Sequence, residues 1–123
     1  MSKQGDLGKW GEELAVDMLV SKGYAIRETN WRMPPYEIDI VAMKGNRIVF
    51  VEVKTRTSGA FDPIIAINRK KQTNMIKSAN AYVSIFDLPH EVQFDVVLIV
   101  GSPEGDCEID HIEDAFYPSL KRY

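Results

Sequence analysis

Residues 37–56 read EIDIVAMKGNRIVFVEVKTR. Two runs rich in Ile and Val, 36–43 and 47–56, flank Gly45-Asn46, a Gly-first two-residue hairpin loop of the type II′ kind. Closed tightly, 44 pairs with 47, and counting outward Asp39 faces Glu52 and Glu37 faces Lys54. Opposed residues share a face with Cβ atoms roughly 4.5–5.5 Å apart, and the strand period of two keeps alternate residues on that face. One face of the hairpin therefore carries Glu37, Asp39, Glu52 and Lys54 at one end and continues as Val41, Met43, Ile48 and Phe50. The other face is Ile38, Ile40, Ala42, Val49, Val51 and Val53, without a polar side chain. A hairpin apolar on both sides except for one charged end predicts a central, buried pair of strands with a site at that end.

Working outward, the preceding segment runs as a helix from about Asp6, a candidate N-cap, to Lys22, with Gly23 where a C-cap glycine is expected. Leu7, Trp10, Leu14 and Met18 lie on one side of it and Val16 and Leu19 on another, so the helix is covered on more than one face. Residues 24–30 read as a strand and 57–63 as a loop. A second helix spans about Asn68 to Val83, with Met75, Ile76, Ala79 and Tyr82 as its apolar face. Residues 92–101, VQFDVVLIVG, are almost continuously apolar, as buried central strands are, and 107–112 form a last short strand. The order α-β-β-β-α-β(-β) predicts an α/β fold, a mixed sheet flanked by helices. No repeat or linker divides residues 1–123, which read as a single domain.

Composition bounds the class. The 123 residues, 45% hydrophobic and 27% charged, suffice for a buried core without metal or disulfide staples. Cys107 is the single cysteine and has no disulfide partner within the chain, which fits a reducing cytoplasm. The stretch MSKQGDLGKWGEELAV lacks the apolar core of a signal peptide. No apolar run approaches the roughly 20 residues that span a bilayer. The expectation is a cytoplasmic protein without a membrane partner. A net charge of −3 counts against a nucleic-acid binder, although acids gathered in one site would account for part of it.

Two carboxylates as close as Asp39 and Glu52 repel unless a cation lies between them. A hard divalent ion satisfies both, and Mg²⁺ is commonly held by one or two carboxylates together with waters and substrate phosphate. Such an ion polarises a phosphate and activates water, and Lys54 on the same face is placed to orient that water or to stabilise developing charge. The same pattern also fits a surface cross-strand ladder pairing Glu37 with Lys54. The apolar opposite face and the flanking Val41 and Phe50 favour the site. Glu12 shares a helix side with Val16 and Leu19 and reads either as a carboxylate reaching the sheet end or as a solvated first-turn acid. Arg56 lies two residues beyond Lys54 and is a candidate phosphate contact. Lys71, with Arg69, Lys70 and Lys77, forms either a basic face for a nucleic-acid backbone or a solvated helix face. Trp31 is a candidate base-stacking residue or, on the plainer reading, core packing. His90 and His111 fit no catalytic pattern.

Asp39 with the downstream EVK at 52–54 resembles the PD-(D/E)xK nuclease signature, and the element order resembles that restriction-endonuclease-like αβββαβ core. More closely, GKWGEELA, GYAIRETNWR, EIDIVA, VFVEVKTR and FDVVLI, spread over residues 8–99, resemble the YraN family of uncharacterised proteins, which are similar to Holliday-junction resolvases. The resemblance implies a metal-dependent endonuclease acting on DNA, branched or damaged forms included. It implies Glu12, Asp39 and Glu52 as ligands of Mg²⁺ or Mn²⁺ and Asp39, Glu52 and Lys54 as catalytic residues, and it matches Lys71 to a lysine the family carries on its second helix; Arg56, from its strand position, and Lys71 are the candidate DNA contacts. Resolvase-like relatives work as dimers, which implies a homodimer. The alternative is a nucleic-acid-binding module of the same fold without catalysis. Tyr36 stands where the family usually has glycine, and Gln93 where it usually has arginine.

Overall fold

The computed structural model describes residues 3–62 and 67–118. Its elements are α1 (Lys3–Ser21), β1 (Ala25–Met33), β2 (Tyr36–Lys44), β3 (Arg47–Arg56), α2 (Arg69–Phe86), β4 (Glu91–Gly101) and β5 (Cys107–Ile112). The strands form one sheet in the order β1-β2-β3-β4-β5, with β3 and β4 parallel and the other neighbours antiparallel. The mixed α/β sheet expected from the sequence is present and is consistent with a restriction-endonuclease-like core. Among the described residues no helix is long and apolar enough to cross a membrane.

Each face of the sheet buries its own cluster. Ala15 and Leu19 of α1 pack on Ile40, Ala42, Val49, Val51, Val97 and Ile99. Met75, Ala79 and Tyr82 of α2 pack on Val41, Ile48, Phe50 and Phe94. Strands covered on both sides have no solvent face to mark with polar residues, which explains the near-continuous apolar sequence of β4.

The hairpin closes in the predicted register, from Lys44↔Arg47 to Ile40↔Val51. Gly45 has φ 59° and Asn46 does not share the positive region, which selects type II′ over I′. Beyond Val51 the structure departs from expectation. Asp39 and Glu52 do not pair, nor do Glu37 and Lys54, because the Asp39 carboxylate takes the Val53 N–H, Oδ2 accepting at 2.8 Å. On the other side of β2, Asn30 of β1 sits at φ 52° between the pairs Thr29↔Ile40 and Trp31↔Ile38. Asn tolerates that left-handed conformation, and a left-handed residue breaks the strand alternation. Ile38 accordingly buries in the α2 cluster rather than beside Ile40.

Other boundaries moved. Asp6 lies within the first turn of α1 and is not its N-cap. At the far end Tyr24 N–H bonds Leu19 O and Gly23 N–H bonds Val20 O, with Gly23 at φ 93°. These are the two bonds of a Schellman cap, which glycine closes without a Cβ penalty. β1 runs three residues further than the predicted strand, to Met33. In α2, Asn68 caps the helix by accepting from Lys71 N–H, and the helix continues past Val83 to Phe86. Trp31, half-buried, packs edge-on against Tyr82 with ring centres 5.1 Å apart, at the margin of the α2 cluster. Pro63, which ends the predicted loop, lies outside the described residues.

α1 approaches β3 through Gly11, where an added Cβ would fall 2.1 Å from Thr55 Oγ1. Alanine gains about 1 kcal/mol over glycine in a helix interior, but overpacking a contact this tight costs about 1–3 kcal/mol. Gly11→Ala should therefore be destabilising by about 1 kcal/mol net, measured by urea unfolding. A variant as stable as wild type would mean that Thr55 yields freely and that this contact does not fix α1.

Candidate active site

Strand alternation sends Val49, Val51 and Val53 of β3 toward α1 and Phe50, Glu52 and Lys54 toward α2. There the first turns of α2 supply Lys71. Lys54 Nζ lies 3.8 Å and Lys71 Nζ 3.7 Å from the same oxygen, Glu52 Oε2. The structure thus joins Lys71, singled out in sequence only as a DNA contact, to the Glu-x-Lys pair itself. Burial pushes the Lys54 ammonium below the usual lysine range and the adjacent Lys71 pushes it further, against the pull of Glu52 and Asp39. Lys71 is raised, first through its hydrogen bond to Lys54.

Asp39 is largely withdrawn from water at the point where β2 and β3 separate. Burial raises its carboxyl from 3.8 to about 6; the Val53 N–H opposes this, and the charges of Glu52, Glu12 and Glu37 add to it. Asp39, Glu52 and Glu37 line one crevice with Met75, of about 10 Å³, about enough for a single water. This is an anion disfavoured by its own surroundings, and a cation beside it would reverse the preference.

Asp39 and Glu52 are hard oxygen ligands sharing that crevice, which fits an ion held by two carboxylates and waters. Glu12 does not complete a third position: its Oε1 accepts from Asn30 Nδ2 at 2.7 Å. Among the described residues no three His, Cys, Asp or Glu side chains are set to hold one ion. Glu12 instead acts on Asp39 through its charge, and burial raises its own carboxyl. Glu37, expected opposite Lys54, turns to Arg32 at 3.9 Å, largely exposed.

Two grooves meet at this site. One, of about 360 Å³, runs past Tyr36, Glu37, Glu52, Lys71, Asn74 and Lys77. The other, of about 470 Å³, runs past Lys54, Arg56, Phe61, Asn68 and Lys71. Lys71 borders both, with Lys77 and Arg56 further out, so cations follow the path on either side of the acids. Ser78, which sequence reading passed over, holds the backbone by accepting from Glu37 N–H at 3.3 Å. No local signal marks it beyond its place one residue from Ala79 on the apolar face.

A second polar cluster lies on the α1 face and was not anticipated. Asp95, fully buried in β4, accepts from Tyr24 Oη at 2.9 Å, Gln93 Nε2 at 2.8 Å and Asp114 N–H at 3.0 Å, and lies 2.8 Å from His111 Nε2. Gln93 passes the contact on to Arg47, whose Nη1 donates to Gln93 Oε1 at 2.9 Å. The sign in the sequence was one acid, Asp95, inside an otherwise apolar run.

Comparison with known proteins gives one consistent result. The profile described as "Uncharacterised protein family UPF0102" matches residues 11–99. The chain is similar to a UPF0102 protein of Bacteroides thetaiotaomicron, 43% identical over 121 residues, covering 98% of this chain and 99% of that one. It is similar to one of Flavobacterium psychrophilum, 44% identical over 118 residues, 95% and 98% of the two chains. A third, of Thermodesulfovibrio yellowstonii, is 46% identical over 113 residues, 91% and 96% of the two.

Proposed function

The chain belongs to the uncharacterised protein family UPF0102, and from the site its residues build we propose that it is a divalent-metal-dependent endonuclease hydrolysing phosphodiester bonds in DNA. The observation that carries this reading is the joining of the disfavoured Asp39 carboxylate to a Glu52–Lys54–Lys71 cluster at the meeting of two cation-lined grooves. A buried acid, its acidic partner and two lysines beside an open path suit a polyanion that must be held and hydrolysed.

Asp39 and Glu52 would hold Mg²⁺ or Mn²⁺, which supplies phosphate polarisation and activation of water. In the hydrolysis a water oxygen bonds to phosphorus and the bond from phosphorus to the departing sugar oxygen breaks, giving a phosphomonoester and a hydroxyl. Lys54 donates hydrogen bonds to the phosphoryl oxygens as negative charge accumulates, which a fixed donor does without reorganisation. Lys71 holds the neighbouring phosphate and keeps Glu52 in place. The Val53 N–H fixes the Asp39 carboxylate through one oxygen, on a residue that lines the crevice with Glu52.

A specific observation favours a second reading, a nucleic-acid-binding module without catalysis: no three-acid metal group forms among the described residues, and one Glu12 oxygen accepts from Asn30. A panel of labelled linear, flapped and four-way-junction DNA with Mg²⁺ or Mn²⁺ separates the two. On the nuclease reading wild type cuts, and Lys54→Ala cuts about 10²-fold more slowly, the loss expected for one charge-stabilising donor. Binding without cutting would transfer the assignment to the module.

A further inference from the structure

The larger groove differs along its length. At one end Lys54 and Lys71 stand beside Glu52. At the other, Arg56 lies with its guanidinium 5.3 Å from the centre of the Phe61 ring while its Nη1 donates to Ala60 O at 2.9 Å. Both residues line the groove together with Asp62 and Asn68. Two contacts hold the Arg56 guanidinium in place, so groove and platform are set before a ligand arrives. The groove is open to solvent, with a volume of about 470 Å³.

From this asymmetry we infer that the groove seats one unpaired nucleotide, its phosphate on Lys54 and Lys71 and its base stacked on the Arg56–Phe61 platform. The inference rests on the nuclease reading and narrows its substrate to DNA with a single-stranded segment at the cut. A base inside a duplex has both faces covered, and aromatic and guanidinium planes accept bases only once these are unstacked. A continuous duplex backbone would bring a phosphate to each end. Lysines at one end and an aromatic ring with a stacked guanidinium at the other fit one nucleotide with its base turned inward better than two phosphates in line.

The test reads binding, with EDTA present so that nothing is cut, by fluorescence anisotropy on a ten-nucleotide single strand, the same strand with abasic residues throughout, and a blunt duplex. Wild type should bind the single strand more tightly than the abasic strand. Phe61→Ala should lose about 5- to 100-fold on the single strand, almost nothing on the abasic strand and duplex, and Phe61→Trp should restore the difference. Removing base and ring together should cost no more than removing either alone. Equal losses on all three ligands, or no preference for bases in wild type, would overturn the inference and leave the nuclease reading standing on its cleavage assay. Melting temperatures of both variants exclude misfolding as the cause. Failure to bind or cut any DNA would remove both readings together.

Discussion

Asp39→Asn should slow metal-dependent DNA cleavage about a thousandfold and at the same time make the protein more stable above pH 6. On the proposed nuclease reading the first effect follows from removing one of the two carboxylates that would hold the ion: polarisation by the ion is worth several kcal/mol, and each 1.36 kcal/mol is a tenfold change in rate. The second follows from the carboxyl's own titration. Its value in the fold, about 6, lies above the ordinary 3.8. An acid raised in this way binds its proton more tightly folded than unfolded, so stability falls as pH rises from 3.8 to about 6 and the whole penalty remains above it. That gap corresponds to roughly 3 kcal/mol, reduced to about 2 kcal/mol by the water that reaches the crevice mouth.

Asparagine carries no charge and keeps an oxygen for the Val53 N–H, so the variant should gain about 2 kcal/mol at pH 8 and nothing at pH 4. Thermal unfolding at the two pH values checks this. Mg²⁺ adds a third readout. At a hundred times its dissociation constant it should stabilise wild type by about 2.7 kcal/mol and leave Asp39→Asn unmoved. A variant that is less stable at pH 8, or that responds to Mg²⁺ as wild type does, would remove Asp39 from any metal site.

The same residue marks how far the sequence could be read. Gly45-Asn46 and the two Val- and Ile-rich runs determine register and turn type locally, and the structure agrees from Lys44↔Arg47 to Ile40↔Val51. The rule of alternation then fails at Asp39, whose neighbour on β1 is Asn30 at φ 52°. Nothing in residues 37–56 encodes what a different strand does. Asn30 in ETNWR was the available sign, a residue that visits the left-handed region within a strand pattern. Glu52, Lys54 and Lys71 meet because β3 runs parallel to β4 and α2 forms the connection between them, packing its apolar face on Phe50. Parallel pairing over such a connection is tertiary information, so Lys71 could be singled out by type but not placed against Glu52. Glu12 is the reverse case. Its helix and its side were legible, while its partner Asn30 depended on the bulged strand.

The buried cluster on the α1 face supplies the second large effect: Asp95→Ala should cost about 3–5 kcal/mol at neutral pH, the loss that follows removal of one member of a buried charged network. Burial by itself pushes the Asp95 carboxyl up, but the hydrogen bonds of His111, Asp114 N–H, Gln93 and Tyr24 outweigh it and leave the group below its ordinary value. An acid lowered in the fold contributes stability that is fully present above its unfolded value of about 3.9 and is lost as pH falls through the folded one. The gap between wild type and variant should therefore be widest near neutrality and close in strong acid, the opposite of the Asp39 case. Alanine would also take a partner from the Gln93 amide, the Asp114 N–H and the His111 ring, while the Tyr24 hydroxyl keeps Glu113 Oε1 at 2.9 Å as its acceptor. Urea unfolding at pH 7 and pH 3 reads both features. A cost below about 1 kcal/mol at pH 7 would mean that water enters and satisfies the stranded donors. Asp39 and Asp95 are both withdrawn from water in adjoining parts of one sheet, yet only Asp95 is surrounded by donors. That contrast is the physical ground for assigning Asp95 to the fold and for placing Asp39 in the proposed site.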